Sequence, residues 1–297
     1  MAPLSIREFI FENVVKSILF IIRILPSGNL TQLMFTRIMT AVSPTLTHSG
    51  RGLLIASLNI NGHLTHIDEL RVFMFFSNVD ILQINESKLD STVHNDEVYI
   101  PGFEIVRKDR KVNGRHGGGV CTYLRTNLNY RIRNDLNNDL LECLFVEISK
   151  PRSTPFVVGT WYRPPSSPPN LYSEFEKVIA KIDAENKELY LLGDFNCNLL
   201  PEANAHNSSY LTNIFDIYGL SQLITEPTRV TPASKTLIDL CITNSQEKVT
   251  NSGVIHLGIS DHSLVFLTRK AQCYRKGPRV IETRHFKHFD KGKFSFK

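Results

Sequence analysis

The chain has 297 residues, enough for one large domain or two small ones, and its composition is that of an ordinary globular protein. Its five cysteines lie far apart without a Cys-X-X-Cys pair, which indicates reduced core cysteines of an intracellular protein rather than a disulfide framework. The net charge of +5 is uneven, since residues 1–51 carry +3 and residues 269–297 carry +8, which leaves −6 for residues 52–268. Basic flanks alone do not establish nucleic-acid binding, and the acidic middle is compatible with a cation site.

The first 51 residues are predicted to form an N-terminal extension. The stretch Phe9 to Leu25 is apolar but contains Glu12, Lys16 and Arg23, which argues against a membrane-spanning helix. We therefore predict an amphipathic helix or a poorly ordered segment for residues 1–51, with a membrane anchor as the less favoured alternative.

Residues 52–269 are predicted to form one domain. Nine runs have the apolar pattern of strands: residues 53–59, 79–85, 103–107, 118–124, 143–149, 156–162, 189–194, 237–243 and 263–268. Three runs have helical periodicity: residues 63–77, 170–185 and 209–218. Because some strands are separated by helices and others by short loops, we predict an α/β protein with two mixed β-sheets packed together and helices outside. Residues 270–297 are predicted to be a basic C-terminal tail, interpreted as a truncated linker.

The most informative segment follows the apolar run that ends at Gly193. Asp194 and Asn196 come directly after that run, so the turn places a carboxylate and an amide at the rim of a sheet. Taken alone, this pattern is also that of an ordinary Asp-Asn turn.

Other predicted strands end in similar polar residues. Asn59 and Asn61 alternate after the first strand and so point to one side if that strand continues. Glu86 follows the second strand, where a carboxylate is either solvated or a ligand of a hard cation such as Mg²⁺. Tyr162 and Arg163 precede two prolines and are good phosphate donors, although an aromatic residue packed under a proline loop fits the pattern too.

The last two motifs carry an acid and a histidine. Asp239 lies within a strongly apolar run, where a buried carboxylate needs a partner. His262 follows Asp261 at the start of the last strand and can be that partner. Together the motifs supply what metal-assisted phosphodiester hydrolysis requires: cation ligands, phosphate donors, a water-orienting carboxylate and an Asp–His pair.

With these motifs the chain resembles the endonuclease/exonuclease/phosphatase superfamily, and more narrowly the endonuclease domain of LINE-type (non-LTR) retrotransposon polyproteins. The narrower likeness depends on Ser57–Gly62, Gly117–Val120, Trp161–Pro165, Thr236–Asp239 and Ile259–His262. The resemblance covers roughly residues 53–269. It implies a deoxyribonuclease-like, four-layer α/β sandwich, in agreement with the predicted elements.

The resemblance also implies roles for individual residues. Mg²⁺, with Mn²⁺ as a substitute, would be bound by Glu86 with support from Asn59 and Asp261. Asp194 would align or deprotonate the attacking water, and Asp239 would orient His262 toward the scissile phosphate. Asn196 and Tyr162 would contact that phosphate. Apart from the resemblance, we also predict that Arg163 and Asn61 bind substrate.

One departure concerns Asn61, because abasic-site relatives have an aspartate there, and its loss puts a two-metal scheme in doubt. The implied partner is DNA, nicked to leave a 3′ hydroxyl that primes reverse transcription, in the nucleus. A reverse-transcriptase portion is expected in a full-length polyprotein, whereas no stable protein partner and no membrane association are expected. A phosphoesterase for phosphorylated lipids or inositol headgroups, and an inactive retroelement-derived fragment, are the alternatives.

Overall fold

The computed structural model describes residues 52–110, 117–151, 153–165, 167–202 and 205–270. The predicted N-terminal extension, residues 1–51, lies outside these ranges, and so does the predicted tail beyond Lys270.

Fourteen strands and three α-helices are present in the described part of the chain. The strands of the first half are β1 Gly52–Asn59, β2 Ile81–Asn85, β3 Phe103–Lys108, β4 Val120–Arg125, β5 Asn129–Ile132, β6 Glu142–Ser149 and β7 Phe156–Tyr162. Those of the second half are β8 Leu189–Asp194, β9 Ser221–Gln222, β10 Arg229–Val230, β11 Lys235–Thr236, β12 Asp239–Thr243, β13 Val249–Ile255 and β14 Leu264–Lys270. The helices are α1 Ile67–Phe76, α2 Asn170–Ala184 and α3 Ala205–Ile217.

The strands form two six-stranded mixed sheets. The first has the order β13-β14-β1-β2-β4-β3, the second has the order β5-β6-β7-β8-β12-β9, and β10 and β11 form a separate hairpin. Among the described strands, β1–β2 and β7–β8 are the only parallel pairs, and the other pairs are antiparallel. This arrangement confirms the predicted α/β fold with two mixed sheets.

The layers follow from the two buried faces of the central strands. Along β1, Leu53 and Ile55 point into the core between the two sheets. Leu54, Ala56 and Leu58 belong to a second core on the opposite face of the first sheet. Helix α1 contributes Ile67, Leu70, Phe73 and Met74 to that second core. On the other side, α2 packs on the second sheet, where its Phe175 ring stacks on Trp161 at 4.1 Å. Strands buried on both faces read as continuous apolar runs, which explains why they were visible in the sequence.

All nine predicted strands and all three predicted helices are present. The sequence analysis missed β5, β9, β10, β11 and β13. These strands are short or lie at sheet edges, and β13 contains the polar run Thr250-Asn251-Ser252. Within the described ranges, no helix is long and apolar enough to cross a membrane.

A buried ion cluster joins the two sheets near the start of β8. The guanidinium of Arg269, on β14, donates to Oε2 of Glu188 at 2.8 and 2.9 Å and lies 4.0 Å from the Phe156 ring. Lys248 pairs with the other carboxylate oxygen of Glu188 at 2.5 Å. Each charge therefore has a partner, as burial requires.

At the other end of β8, Gly193 allows β7 and β8 to come close together. Its φ is +155°, and a Cβ atom there would lie 2.2 Å from the carbonyl oxygen of Trp161. That contact is with backbone of the neighbouring strand, which cannot turn away. The glycine is thus required by the close approach of the strands immediately before Asp194.

We expect Gly193→Ala to destabilise the domain by about 3 kcal/mol, because the added methyl group forces the strands apart. Gly219→Ala is the control, since Gly219 also has a positive φ of +59° but has open space around it. That control should cost about 1 kcal/mol from the left-handed backbone alone. Urea unfolding measures both, and equal losses in the two variants would contradict the close-approach argument.

The Glu188 cluster predicts acid sensitivity. Burial on its own raises the pKa of Glu188, but Lys248 and Arg269 outweigh it and hold that pKa below its usual value. The stabilisation is therefore fully present above the unfolded-state pKa of about 4.3. It is lost as the pH falls through the lower folded-state pKa.

Glu188→Gln should lower the free energy of unfolding by about 3 kcal/mol at pH 7, because Arg269 loses its buried partner. The variant should also show a weaker loss of stability than wild type between pH 5 and pH 3. Unfolding curves across that range measure both effects. Asp68→Asn, in an exposed helical pair with Arg71, should behave like wild type.

Candidate active site

The candidate site lies where four strands meet at one rim of the two sheets. Asn59 and Asn85 are register partners at the ends of the parallel strands β1 and β2. Asp194 and Asp239 are register partners on the antiparallel strands β8 and β12. Strand ends from both sheets thereby bring together residues that are far apart in the sequence.

Asn59 connects the acids of the two sheets. Its Nδ2 donates to Oε1 of Glu86 at 3.0 Å and to Oδ2 of Asp194 at 2.8 Å. Its Oδ1 accepts the backbone N–H of Asn61 at 3.1 Å. The amide nitrogen therefore faces both carboxylates, and Asn59 acts here as a bridging donor. Its role as a direct metal ligand stays a prediction.

Tyr162 completes the contacts of Glu86. Its hydroxyl donates to Oε1 of Glu86 at 2.9 Å. Burial and the negative charge of Glu86 raise the pKa of Tyr162 well above its usual value, so this phenol remains a donor. Glu86 itself has a φ of +50°, a left-handed conformation that non-glycine residues rarely adopt and that is often found at functional sites.

Asp194 is fully buried and is held from several sides. Its Oδ1 accepts the backbone N–H of Asn196 at 2.9 Å, and its own N–H donates to Oδ1 of Asn85 at 2.9 Å. Burial and the nearby charge of Asp239 raise the pKa of Asp194 to about 7. A carboxyl group with a pKa in this range can accept a proton at neutral pH.

Asp239 and His262 form the buried pair that the sequence predicted. The Nδ1 atom of His262 lies 2.9 and 3.1 Å from the two carboxylate oxygens of Asp239, and 4.0 Å from Oδ2 of Asp194. Burial alone lowers the pKa of His262, but the hydrogen bond and charge of Asp239, with Asp194 and Asp261, raise it to about 9. The imidazole is therefore protonated at neutral pH, and Nε2 is its second N–H donor.

Arg163 lies under the loop that carries Asn196. Its guanidinium donates to the carbonyl oxygens of Ser167 at 2.9 Å and Asn196 at 3.4 Å, and lies 4.7 Å from the Tyr172 ring. In turn, Nδ2 of Asn196 donates to the carbonyl oxygen of Arg163 at 2.8 Å. Because Arg163 is only 8% exposed, the structure shows it bracing this loop, and its contact with substrate stays a prediction.

Two predicted residues lie at the edge of the cluster. Asp261 forms an exposed ion pair with Arg229 at 2.7 Å. Burial raises the pKa of Asp261, but Arg229 outweighs it, so the pKa is lowered. Asn61 is exposed, and its Oδ1 accepts a hydrogen bond from Lys88. Binding of metal by Asp261 and of substrate by Asn61 stay predictions.

Sequence reasoning missed several contributors. Asn85 joins Asp194 to Thr160, and Ser260 donates from its hydroxyl to the carbonyl oxygen of Asn59 while accepting the N–H of His262. Lys88 lies 3.9 Å from Oε2 of Glu86. Asn85 could have been found by the argument used for Asp239, because it too is a polar residue in an apolar strand. The others lie in turns, whose contacts the sequence pattern does not specify.

The donor set fits a hard divalent cation. Carboxylates of Glu86 and Asp194 accept hydrogen bonds from the same amide nitrogen, so their oxygens converge, and Mg²⁺ takes oxygen ligands. Ligand atoms of Asp194, Asp239 and His262 also lie within 4.8 Å of one another. A protonated imidazole that donates to Asp239 is not a metal ligand, however. Glu86 and Asp194 are thus better suited than His262 to hold a cation.

The sequence profile of the endonuclease/exonuclease/phosphatase family matches residues 56–262, which is more than half of the chain. The chain belongs to this family. The match confirms the predicted superfamily, whose members are nucleases and phosphatases. No curated protein sequence matches the chain.

Several solved structures have the same fold and align with about three quarters or more of this chain. The endonuclease domain of TRAS1, a telomere-specific non-LTR retrotransposon, has 14% identity and a TM-score of 0.59, covering 75% of this chain and 100% of its own. The abasic-site (AP) endonuclease LMAP from Leishmania major has 14% identity and a TM-score of 0.64, covering 80% and 95%. The 3′-5′ exonuclease NExo from Neisseria meningitidis has 15% identity and a TM-score of 0.57, covering 74% and 100%. At these identities the likeness confirms the fold.

The bridging role of Asn59 can be tested without measuring activity. Asn59→Asp replaces the donor with a third carboxylate, so without divalent ions stability should fall by about 2 kcal/mol. Added Mg²⁺ should restore more of the loss than it adds to wild type, because the ion neutralises the cluster. Thermal unfolding in EDTA and in Mg²⁺ measures the difference.

Asn138→Asp is the matched control, because Nδ2 of Asn138 also donates to a carboxylate, that of Glu174, at 2.8 Å outside the site. It should lose stability without recovery in Mg²⁺. Equal recovery of the two variants would contradict a cation site at Asn59.

Proposed function

We propose that this protein is a divalent-metal-dependent endonuclease that nicks DNA, as the LINE-type resemblance implies. The observation that carries the proposal is the hydrogen-bonded cluster of Asn59, Glu86, Tyr162 and Asp194, with the Asp239–His262 pair beside it. Such a cluster brings together carboxylate oxygens that can bind a cation, a carboxylate that can accept a proton, and hydrogen-bond donors that can contact a phosphate. All of them lie at one rim of the two sheets.

The residues around the cluster favour a substrate that is a polyanion. Lys88 lies beside Glu86 and is 40% exposed in its side chain, and Arg229 lies beside Asp261 and is 43% exposed. Both cations lie beside acids of the candidate site and are partly exposed, so they can contact phosphates of a nucleic-acid backbone. The three similar structures are those of nucleases, which supports DNA as the substrate class.

The geometry indicates a division of labour among the side chains. Asp194, held by Asn59 and by the backbone N–H of Asn196, aligns or deprotonates the attacking water. Protonated His262, held by Asp239, donates through Nε2 to a phosphate oxygen and stabilises the charge that develops there. Asn196 and Tyr162 hold the rim around the phosphate, and Asn59 keeps the carboxylates of Glu86 and Asp194 in a fixed relation.

Glu86, supported by Asp194, would hold the Mg²⁺ ion. When bound, the ion supplies charge neutralisation at a phosphate oxygen and lowers the barrier to attack. We further propose a role in target-site nicking for a LINE-type element and, as part of that proposal, a nuclear location.

Plasmid nicking tests the proposal. Wild-type protein should convert supercoiled plasmid to the open-circular form in Mg²⁺ or Mn²⁺, and EDTA should abolish the reaction. Asp194→Asn keeps the shape of the side chain but removes the proton acceptor, so nicking should fall by about 10³-fold or more. Asp216→Asn, an exposed acid on α3, should nick like wild type.

Equal background nicking by wild type and Asp194→Asn would reject the endonuclease. Phosphate release from a phosphorylated inositol headgroup, with no plasmid nicking, would select a lipid or inositol phosphoesterase instead. Loss of both activities in folded protein would indicate an inactive retroelement-derived fragment.

A further inference from the structure

A second ion pair lies beside the candidate site but shares none of its predicted residues. Arg110 donates from Nε to Oε1 of Glu142 at 2.7 Å, and its Nη2 lies 2.5 Å from the same oxygen. The other oxygen of Glu142 accepts the backbone N–H of Gly119 at 2.6 Å. Glu142 thus ties an arginine and a glycine turn to the start of β6.

The glycine turn has a shape that only glycine adopts readily. Gly117, Gly118 and Gly119 have φ values of +120°, +76° and +81°. A Cβ atom on Gly118 would lie 2.2 Å from the guanidinium carbon of Arg110, and one on Gly119 would lie 2.8 Å from Oγ of Ser87. The turn is therefore packed between the guanidinium on one side and the segment after Glu86 on the other.

The same turn accepts hydrogen bonds from the backbone of the two residues that follow Glu86. The N–H of Ser87 donates to the carbonyl oxygen of Gly119 at 3.1 Å, and the N–H of Lys88 donates to that of Gly118 at 2.8 Å. Glu86 and Lys88 both have left-handed conformations, with φ of +50° and +52°. Strained residues of this kind persist only where surrounding contacts hold them.

The ion pair also lies close to Tyr162, which donates a hydrogen bond to Glu86. Glu142 is the register partner of Tyr162 across β6 and β7, and the guanidinium carbon of Arg110 lies 5.9 Å from the centre of the Tyr162 ring. Tyr162 in turn donates to Glu86. Arg110 and Glu142 therefore act on Glu86 by two routes, through the glycine turn and through the phenol.

We infer that Arg110 and Glu142 are positioning residues that fix Glu86 in its left-handed conformation and set the affinity of the site for a divalent cation. The inference rests on the proposed function for its cation site and for its kinetic consequence, whereas the conformation of Glu86 is independent of both. Glu142 neutralises Arg110, so the pair acts through Glu86 and Tyr162 rather than by binding substrate phosphate itself.

Glu142→Gln tests the inference, because it removes the charge while keeping the side-chain shape. Asp80→Asn is a closely matched control. Asp80 also accepts an arginine N–H, from Arg125 at 3.2 Å, and a backbone N–H, from Leu54 at 3.0 Å, with similar partial exposure but beside the start of β2. Both variants lose one arginine–carboxylate pair, and only Glu142→Gln loses the pair that contacts the glycine turn.

Amide hydrogen exchange of the segment 85–90 gives a readout that needs neither metal nor substrate. Exchange there should be about tenfold faster in Glu142→Gln, because the Ser87 and Lys88 N–H groups lose a rigid acceptor turn. Asp80→Asn should leave exchange in this segment at the wild-type rate. Arg110→Lys, which keeps the charge but loses the planar fork, should fall between wild type and Glu142→Gln.

Mn²⁺ binding followed by electron paramagnetic resonance should show a loss of affinity of about tenfold in Glu142→Gln, as expected for a group that supports a ligand. At saturating metal, kcat for nicking should fall while KM for DNA stays the same. Should wild type prove unable to nick DNA, the proposed function fails, but the exchange and Mn²⁺ results still decide this inference.

Three outcomes would overturn it. Unchanged exchange in the segment 85–90 of both Glu142→Gln and Arg110→Lys would show that the pair does not hold Glu86. Equal effects in Asp80→Asn would show general destabilisation. A raised KM with unchanged kcat and unchanged Mn²⁺ affinity would mean that Arg110 contacts DNA instead.

Discussion

The candidate site depends on one amide that holds two acids from different sheets. Asn59 ends a strand of the first sheet and donates from a single nitrogen to Glu86 of that sheet and to Asp194 of the second. Two carboxylates this close repel each other and lose hydration, so they need a shared donor or a cation between them. The relative position of the two sheets therefore sets the geometry of the chemistry, and small shifts between them change it.

Buried polar contacts fix that relative position where apolar packing alone would permit sliding. Asn85 on the first sheet receives the N–H of Asp194 and donates to Thr160, both on the second sheet. Its Oδ1 would lie only 3.1 Å from a Cβ atom at position 193, so the absence of a side chain at Gly193 lets the sheets meet here. Hydrogen bonds are directional, unlike apolar contacts, and so specify one register between the sheets.

Much of this could be predicted from the sequence, and the limits have physical causes. The sequence predicts the pair of Asp239 and His262 because a carboxylate in an apolar strand must find a partner. Strand-end positions predict that Glu86 and Asp194 meet. The orientation of the Asn59 amide and the burial of Arg163 could not be predicted, since both depend on which neighbours compete for each donor. Arg110 and Glu142 were missed for a related reason, because their contact runs through a glycine turn whose shape no local periodicity encodes.

The negative charge of the cluster explains why a cation would bind there. When ionised, Glu86, Asp194 and Asp239 carry three negative charges, whereas the imidazolium of His262 and the ammonium of Lys88, 3.9 Å from Glu86, supply two positive ones. An excess of one negative charge therefore remains in a largely buried place. In the chain alone, part of this excess is relieved because burial and Asp239 raise the pKa of Asp194 to about 7. A divalent cation at Glu86 would relieve it differently, since nearby positive charge lowers the pKa of a carboxyl group. Proton uptake by Asp194 and binding of a divalent cation would therefore oppose each other, because each relieves the same excess of negative charge.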